Sequence, residues 1–195
     1  MMLLVQDEPR VVHKMLEIQG EFNARITERV LRDVQVDAAM FGEPIGDNKG
    51  PLISPRTYRE LVLPTYQSVI EVLHRYNVRT IILRAFANIY PLIPDLLKAG
   101  INCLWVVEVR ALAMDYPRLR GEFGRDLRLI GGLDLDVLRG NRESIRRELE
   151  EKVLLLLEQG GYAPLLDGRV REDVKWENYC YYRGLLERLC AGRGR

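Results

Sequence analysis

Charged side chains stand at or just past the ends of five apolar runs in this chain, a pattern that can assemble an active site. They are, in chain order, Glu43, Arg84, Glu108, Asp134, Asp167 and Arg169. A carboxylate in such a place can hold a proton or bind a substrate N–H group, and a guanidinium can bind a carboxylate through two parallel hydrogen bonds. The structural alternatives are equally concrete. Glu43 and Glu108 could cap the following helix or pair with a nearby arginine, and Arg84 could merely neutralise one of them. Asp134 could form an Asx turn that opens the next helix, and Asp167 could form a local ion pair with Arg169.

The apolar runs themselves are the elements that must position these groups. They span 34–41, 78–83, 102–109, 127–132 and 162–166. Short continuous runs, rather than strict alternation, are typical of parallel strands covered on both faces. Helical patterns separate them, so the sequence predicts βα units. Right-handed crossovers then leave two architectures, an open doubly wound sheet or a (β/α)8 barrel.

The helical patterns begin with an apolar row that repeats every three or four residues and predicts one stripe of a long first helix. Its members are Val11, Met15, Ile18, Phe22, Ile26 and Val30. Ser54-Pro55 is an N-cap followed by proline at the first helical position, and it predicts the start of the second helix. Pro64 is expected to interrupt that helix.

The barrel is the better of the two architectures for this sequence. No GxGxxG follows the first strand and no GxxxxGK[ST] occurs, so the nucleotide-binding doubly wound sheets lack their signature. Polar residues past strand ends are what the active face of a barrel requires. Because a complete barrel takes eight strands and about 250 residues, we predict a partial (β/α)8 TIM-type barrel: α/β, with about five parallel strands and surrounding helices, in one domain over 1–195.

Composition excludes several classes of function. Twenty-nine basic residues against 28 acidic ones give a net charge of +1, which predicts no nucleic-acid partner and no anionic membrane partner. The chain contains no apolar run near the ~20 residues of a membrane span. Its 3 cysteines include no CxxC pair, so reduced thiols in a cytoplasmic protein are the simplest expectation. His13 and His74 lie in helical patterns without further suitably spaced ligands, so no metal site is predicted.

A series of motifs resembles the central and C-terminal portion of the uroporphyrinogen decarboxylase superfamily, from about residue 7 to 189. The series reads Glu43; Gly50-Pro51-Leu52-Ile53-Ser54-Pro55; Tyr58-Arg59-Glu60; Leu63-Pro64; Leu92-Ile93-Pro94-Asp95-Leu96; Ala99-Gly100-Ile101; Glu108-Val109; Leu129-Ile130-Gly131-Gly132-Leu133-Asp134; Gly160-Gly161-Tyr162; and Glu177-Asn178. Each motif alone is weak, and their order and spacing make the resemblance.

The resemblance implies a (β/α)8 barrel with its site at the C-terminal strand ends, of which this chain would lack the N-terminal strands and the arginine-rich substrate loop. It implies either decarboxylation of a tetrapyrrole without a cofactor or methyl transfer between a corrinoid and an acceptor. Carried onto matching positions, it implies catalytic and substrate-binding residues and no metal. The catalytic set is Glu43, Glu108 and Asp134, and the substrate-binding set is Arg84, Asn88, Gly131, Gly132, Asp167 and Arg169.

Departures from the family pattern keep a third possibility open. Where the methyltransferase branch carries a His-x-Cys zinc pair, this chain has Arg84-Ala85-Phe86, and Gly168 replaces a usual histidine. Arginine and phenylalanine do not ligate zinc, and the histidine is a general acid/base that titrates near neutrality. The predicted function is therefore a uroporphyrinogen decarboxylase-like protein that acts on or binds a tetrapyrrole. A corrinoid methyltransferase-related protein and a non-catalytic subunit or degenerate homologue are the alternatives.

An incomplete barrel also predicts association. Five strands leave two open sheet edges whose backbone groups can pair with a neighbour. The barrel-inward side chains of the first and last strands would also be exposed, and they are apolar: Val36, Ala38, Leu165 and Leu166. We therefore expect either a homo-oligomer or a separate chain that completes the barrel.

Overall fold

Five parallel strands form one sheet at the centre of the molecule. The computed structural model of the chain describes residue 5, residues 7–107 and residues 114–192. The strands are β1 (Ala38–Glu43), β2 (Thr80–Phe86), β3 (Cys103–Val107), β4 (Arg128–Leu133) and β5 (Tyr162–Leu166). They lie in chain order, β1-β2-β3-β4-β5, and every neighbouring pair is parallel. The predicted α/β architecture with five parallel strands is confirmed, and the sheet is not closed into a ring.

Six principal helices connect or flank these strands. They are α1 (Pro9–Leu31), α2 (Leu63–Arg75), α3 (Ile93–Lys98), α4 (Tyr116–Phe123), α5 (Arg142–Gln159) and α6 (Trp176–Ala191). Short 3₁₀ segments precede α3 (Tyr90–Leu92) and α5 (Leu135–Arg139). None of the helices in the described part of the chain combines the length and apolarity that crossing a membrane requires.

The second helical segment shows how its sequence signals are accommodated. The Ser54 hydroxyl caps the turn Pro55–Thr57 by accepting a 3.0 Å hydrogen bond from the Thr57 N–H. A π-helical stretch, Tyr58–Val62, then leads directly into α2, whose second residue is Pro64. Proline removes one backbone donor and crowds the preceding turn, and a π-turn is a usual place to absorb such a change. The chain therefore stays helical through the predicted interruption.

The two faces of the sheet differ. Along β2, Ile81, Leu83 and Ala85 are fully buried beneath the helices, while the alternate residues Arg84 and Phe86 are only partly buried. The same register gives each strand one helix-covered face and one open face. The open face corresponds to the interior of a complete barrel, and Met40 and Leu165 on it are 54% and 41% exposed.

Helix α1 packs on α2 through a face that the sequence pattern did not single out. Val12, Gly20 and Leu31 are its buried residues, and an added Cβ at Gly20 would lie 2.8 Å from the Thr65 carbonyl oxygen. The predicted stripe from Val11 to Val30 instead faces outward, with every member exposed. The helix is confirmed, but its apolar stripe lies away from the core.

Candidate functional site

Arg84 lies on the open face of the sheet, near the C-terminal end of β2. Its guanidinium carbon lies 5.1 Å from the ring centroid of Phe86 and 5.3 Å from that of Trp105. Phe86 is two residues further along β2, and Trp105 is the register partner of Arg84 on β3, so all three side chains leave the sheet on the same side. Cation–π contacts of this kind hold a guanidinium in place without neutralising it.

The surroundings of Arg84 leave room for a ligand. On the β1 side its register partner is Gly42, where an added Cβ would meet no heavy atom within 4 Å. On the other side the row continues across the sheet through Trp105, Ile130 and Ala163. Arg84 forms no ion pair with any residue in the described part of the chain. Among the described residues, the site is thus a cation without an ion-pair partner on a mostly apolar floor.

Glu43 lies on the opposite face. It is the last residue of β1 and pairs with Ala85, whereas Arg84 pairs with Gly42, so the two side chains leave the sheet in opposite directions. The Glu43 carboxylate accepts a short hydrogen bond from the Tyr66 hydroxyl of α2. Burial raises the pKa of Glu43, and the hydrogen bond from Tyr66 opposes part of that rise. This carboxyl is consequently a helix-side group rather than a neighbour of Arg84.

Two tyrosines, Tyr58 and Tyr66, surround Glu43. Tyr58 is fully buried, and its ring meets that of Tyr66 edge-on with centroids 6.5 Å apart. The Tyr58 hydroxyl is close to both Tyr66 and Glu43 but makes no well-formed hydrogen bond within the described residues. Burial raises the pKa of both phenols. Tyr58, Tyr66 and Glu43 thus form a cluster in which burial favours the protonated form of each group.

Asp134 and Asp167 come together around the 3₁₀ segment that follows β4. The Asp134 carboxylate accepts a 2.8 Å hydrogen bond from the Asp136 N–H, and the Asp167 carboxylate accepts a 2.9 Å bond from the Leu135 N–H. Asp167 is 8% exposed. Both acids cap backbone donors, which is the turn-forming alternative considered for Asp134, and a catalytic role for Asp134 stays a prediction.

The two glycines at the end of β4 make room for aromatic rings of this chain. Gly131 and Gly132 have φ angles of +99° and +81°, a region that favours glycine. A Cβ at Gly132 would lie 2.5 Å from the Tyr116 ring. The Tyr116 hydroxyl bridges β3 and β4, since it accepts from the Val106 N–H at 3.0 Å and donates to the Ile130 carbonyl at 2.7 Å. Tyr116 therefore occupies the space next to Gly132, and the substrate-binding role implied for the two glycines stays a prediction.

The remaining predicted residues lie in loops or outside the description. Asn88 joins the loops after β1 and β2, because its N–H donates to the Asp47 carbonyl at 3.0 Å and its side chain accepts from the Tyr90 N–H at 3.1 Å. Arg169 is exposed in the loop after β5. Glu108 lies outside the described residues. Within the described part of the chain, no three His, Cys, Asp or Glu side chains converge in a way that could hold a metal ion.

The structure therefore gathers the predicted residues into separate groups rather than one mouth. Arg84 and Gly131 both adjoin Trp105, which lies under the Arg84 guanidinium and 3.5 Å from the position of an added Cβ at Gly131. Asp134 and Asp167 form the second group, and Glu43 belongs to the helix-side cluster. Sequence reasoning missed Trp105 as a partner of Arg84. The i, i+2 spacing of Arg84 and Phe86 was a usable signal for their shared face.

Comparison with known proteins adds the family. The family model described as Uroporphyrinogen decarboxylase (URO-D) matches residues 1–162. No curated protein matches the chain. The match covers α1 through the first residue of β5, including all of β1 to β4. The family match is consistent with the observed fold, an open sheet of parallel strands that helices cover on one face. The chain therefore belongs to the uroporphyrinogen decarboxylase family.

Proposed function

We propose that this uroporphyrinogen decarboxylase-like protein binds a tetrapyrrole on the open face of its sheet, near the C-terminal strand ends, with Arg84 holding a carboxylate of the ligand. The observation that carries the proposal is the guanidinium of Arg84 between Phe86 and Trp105, which forms no ion pair with the other residues that the structure describes. A flat macrocycle can lie on the aromatic and apolar floor, and its acidic side chains need a cation. Arginine supplies that cation in a fixed orientation here.

The proposal concerns binding first, and decarboxylation is its second part. Glu43, Glu108 and Asp134 remain the proposed proton-handling groups. Glu43 has the raised pKa that suits a carboxyl retaining a proton, while Asp134 is engaged in capping. To act on a ligand held by Arg84, Asp134 would have to release its capping bond, and Glu43 would have to reach around the end of β1 from the helix-covered face.

Tryptophan fluorescence gives a direct test because Trp105 adjoins Arg84. The chain has 2 tryptophans, and the Trp176→Phe variant leaves Trp105 as the single reporter. Coproporphyrin, which carries four carboxyl groups, should quench this emission saturably. Arg84→Ala should weaken binding by about tenfold to a hundredfold, the range for loss of a charge-assisted pair, and Arg84→Lys should recover part of it.

The matched control is Arg118→Ala. Arg118 also lies over an aromatic ring, 5.1 Å from the centroid of Tyr90, but it belongs to α4 and should leave binding unchanged. A porphyrin without carboxyl groups should bind equally to the parent and to Arg84→Ala. Absence of quenching by coproporphyrin, or equal affinity of the Arg84→Ala variant for it, would contradict the proposal. Quenching by methylcobalamin alone would favour the corrinoid alternative.

A further inference from the structure

Three arginines converge on the loop that leads into β5, at the N-terminal end of the sheet. An added Cβ at Gly160 would lie 3.0 Å from a terminal nitrogen of Arg125. An added Cβ at Gly161 would lie 3.6 Å from a terminal nitrogen of Arg120 and 3.7 Å from Cγ of Arg128. These three residues are called the arginine cluster below. The proposed tetrapyrrole site does not use them, because it lies near the opposite, C-terminal ends of the strands.

Arg120 is the buried member of the arginine cluster. It belongs to α4 and is only 4% exposed. One terminal nitrogen donates to the Gly124 carbonyl at 3.2 Å, and the other donates to the Gly161 carbonyl at 3.0 Å. The buried Nε–H has no hydrogen-bond partner in the part of the chain that the structure describes. The two carbonyl groups therefore hold the guanidinium toward Gly161, but they do not neutralise its charge.

Arg125 adds a second positive charge beside Arg120. Burial lowers the pKa of Arg120, and the nearby charge of Arg125 lowers it further, yet a guanidinium group keeps its proton in proteins. Among the residues that the structure describes, no carboxylate forms an ion pair with Arg120, Arg125 or Arg128. Because buried charges are ordinarily paired, an anion that binds between these arginines should stabilise the arrangement.

Arg125 and Arg128 give an anion access to the cluster from solvent. Both are exposed: Arg125 lies in the loop between α4 and β4, and Arg128 is the first residue of β4. The loop that they face carries no side chain at Gly160 or Gly161. An oxyanion can therefore contact the two exposed guanidinium groups, while Arg120 contributes its charge from the buried side.

We propose that the arginine cluster binds a phosphate-type oxyanion. Guanidinium groups donate pairs of parallel N–H bonds to phosphate oxygens, and a dianion balances two of the three positive charges. The tetrahedral oxygens of phosphate can accept bonds from Arg125 and Arg128 in different planes. A single carboxylate carries one charge, and its two oxygens lie in one plane. The ligand is therefore inorganic phosphate or the phosphoryl group of a small molecule.

Isothermal titration calorimetry with inorganic phosphate and pyrophosphate tests the site. At a constant low ionic strength maintained with chloride, the parent chain should bind both anions. Arg125→Gln combined with Arg128→Gln should weaken binding by about tenfold to a hundredfold, the range for loss of charge-assisted hydrogen bonds. Both positions are exposed, so the variant should fold, and circular dichroism verifies this. A parent that binds neither anion, or a double variant with undiminished affinity, would overturn the proposal.

The matched control is Arg146→Gln combined with Arg183→Gln. These exposed arginines lie on α5 and α6, outside the arginine cluster, and pair with Glu143 and Glu187. Their removal changes the net charge by the same amount and should leave phosphate binding unchanged. An equal loss of affinity in this control would mean that the anion responds only to net charge. Binding of acetate as tightly as phosphate would contradict the assignment to a dianion.

Thermal unfolding gives an independent measurement. A ligand that binds only the folded chain raises its unfolding midpoint, so phosphate in place of chloride at equal ionic strength should raise the midpoint of the parent and of the control more than that of the Arg125→Gln, Arg128→Gln variant. Phosphate also stabilises folded proteins non-specifically, and that part of the shift should be common to all three proteins. A shift of the same size in all three would contradict a phosphate site at the arginine cluster.

Discussion

The carboxyl group of Glu43 lies on the helix side of the sheet, where its surroundings favour the protonated form. Tyr66 donates a hydrogen bond to it, which favours the charged form, yet burial outweighs that bond and raises the pKa of Glu43. The two opposing effects are of different origin: one is loss of hydration and the other a specific donor. Because of this raised pKa, Glu43 makes the stability of the fold depend on pH, which its position in the sequence alone does not indicate.

Replacing Glu43 by Gln should change how stability depends on pH. The folded-state pKa of Glu43 lies above its ordinary value of 4.5, so between these values the folded chain binds more protons than the unfolded chain. Its contribution to the free energy of unfolding is therefore full below about pH 4.5 and declines as pH rises through the folded pKa. Glu43→Gln removes this decline, so the variant should gain stability relative to the parent as pH rises through that window.

Urea unfolding of both proteins from pH 4 to pH 8 measures the difference. Tyr66→Phe is the companion variant, because it removes the hydrogen bond that lowers the pKa of Glu43 and should carry the decline to higher pH. A difference between parent and Glu43→Gln that does not vary with pH would contradict the pKa shift.

For individual residues, the sequence located the strand ends well, but it did not indicate on which face of the sheet each strand-end side chain lies. Asp134 and Asp167 come directly after β4 and β5, as predicted. The first strand was predicted over 34–41 and lies at Ala38–Glu43, because pairing with β2 outweighs the strand preference of Val34 and Val36. Since side chains alternate along a strand, only the actual register shows that Glu43 and Arg84 diverge.

Helix α1 shows what the apolar periodicity of a sequence predicts about an element: that a helix forms, but not which of its faces is packed. Both the exposed row beginning at Val11 and the buried row through Val12, Gly20 and Leu31 have helical spacing, so the helix was predictable. The sequence did not indicate which of the two rows packs against α2, because the exposed stripe is the more apolar of the two. The choice rests on Gly20, whose missing side chain permits the close contact with Thr65 of α2. Fit between backbones, rather than hydrophobicity, orients α1.

Substituting Gly20 by Ala should therefore destabilise the protein. Within a helix, glycine to alanine ordinarily gains about 0.5–1 kcal/mol. Here the new Cβ would lie 2.8 Å from the Thr65 carbonyl oxygen, so α1 must shift away from α2 at a net cost of about 1–2 kcal/mol. The unfolding free energy measured by urea titration should fall accordingly.

Gly121→Ala is the matched control, since Gly121 lies inside α4 and an added Cβ would meet nothing within 4 Å. This variant should gain the ordinary 0.5–1 kcal/mol or so of helix propensity. Equal stabilisation by both substitutions would show that α1 does not approach α2 as closely as described.

At the scale of the whole molecule, the open sheet buries side chains mainly on its helix-covered face. Helices cover one face, and two clusters of buried side chains fill that side, one beneath α2 and α3 and one between α5 and α6. The second cluster includes Leu166, Tyr182 and Leu186, which lie beyond the residues matched by the family model. The C-terminal segment is thus part of the packing. The sequence predicted the number and order of strands because each is a separate apolar run, whereas the curvature and exposure of the sheet depend on contacts between distant strands.

Adjacent leucines on β5 offer the sharpest test of which sheet face is open. Leu165 is 41% exposed, whereas Leu166 is 8% exposed and belongs to the core cluster between α5 and α6. Leu165→Lys should change the unfolding free energy by no more than about 0.5 kcal/mol, because the ammonium group remains in water. Leu166→Lys should cost about 3 kcal/mol or more, because it places an unpaired charge in the core. Urea titration of the two variants makes the comparison at constant residue type and strand. Equal loss in both would mean that the face bearing Leu165 is covered, and the ligand site at Arg84 would then lose its access to solvent.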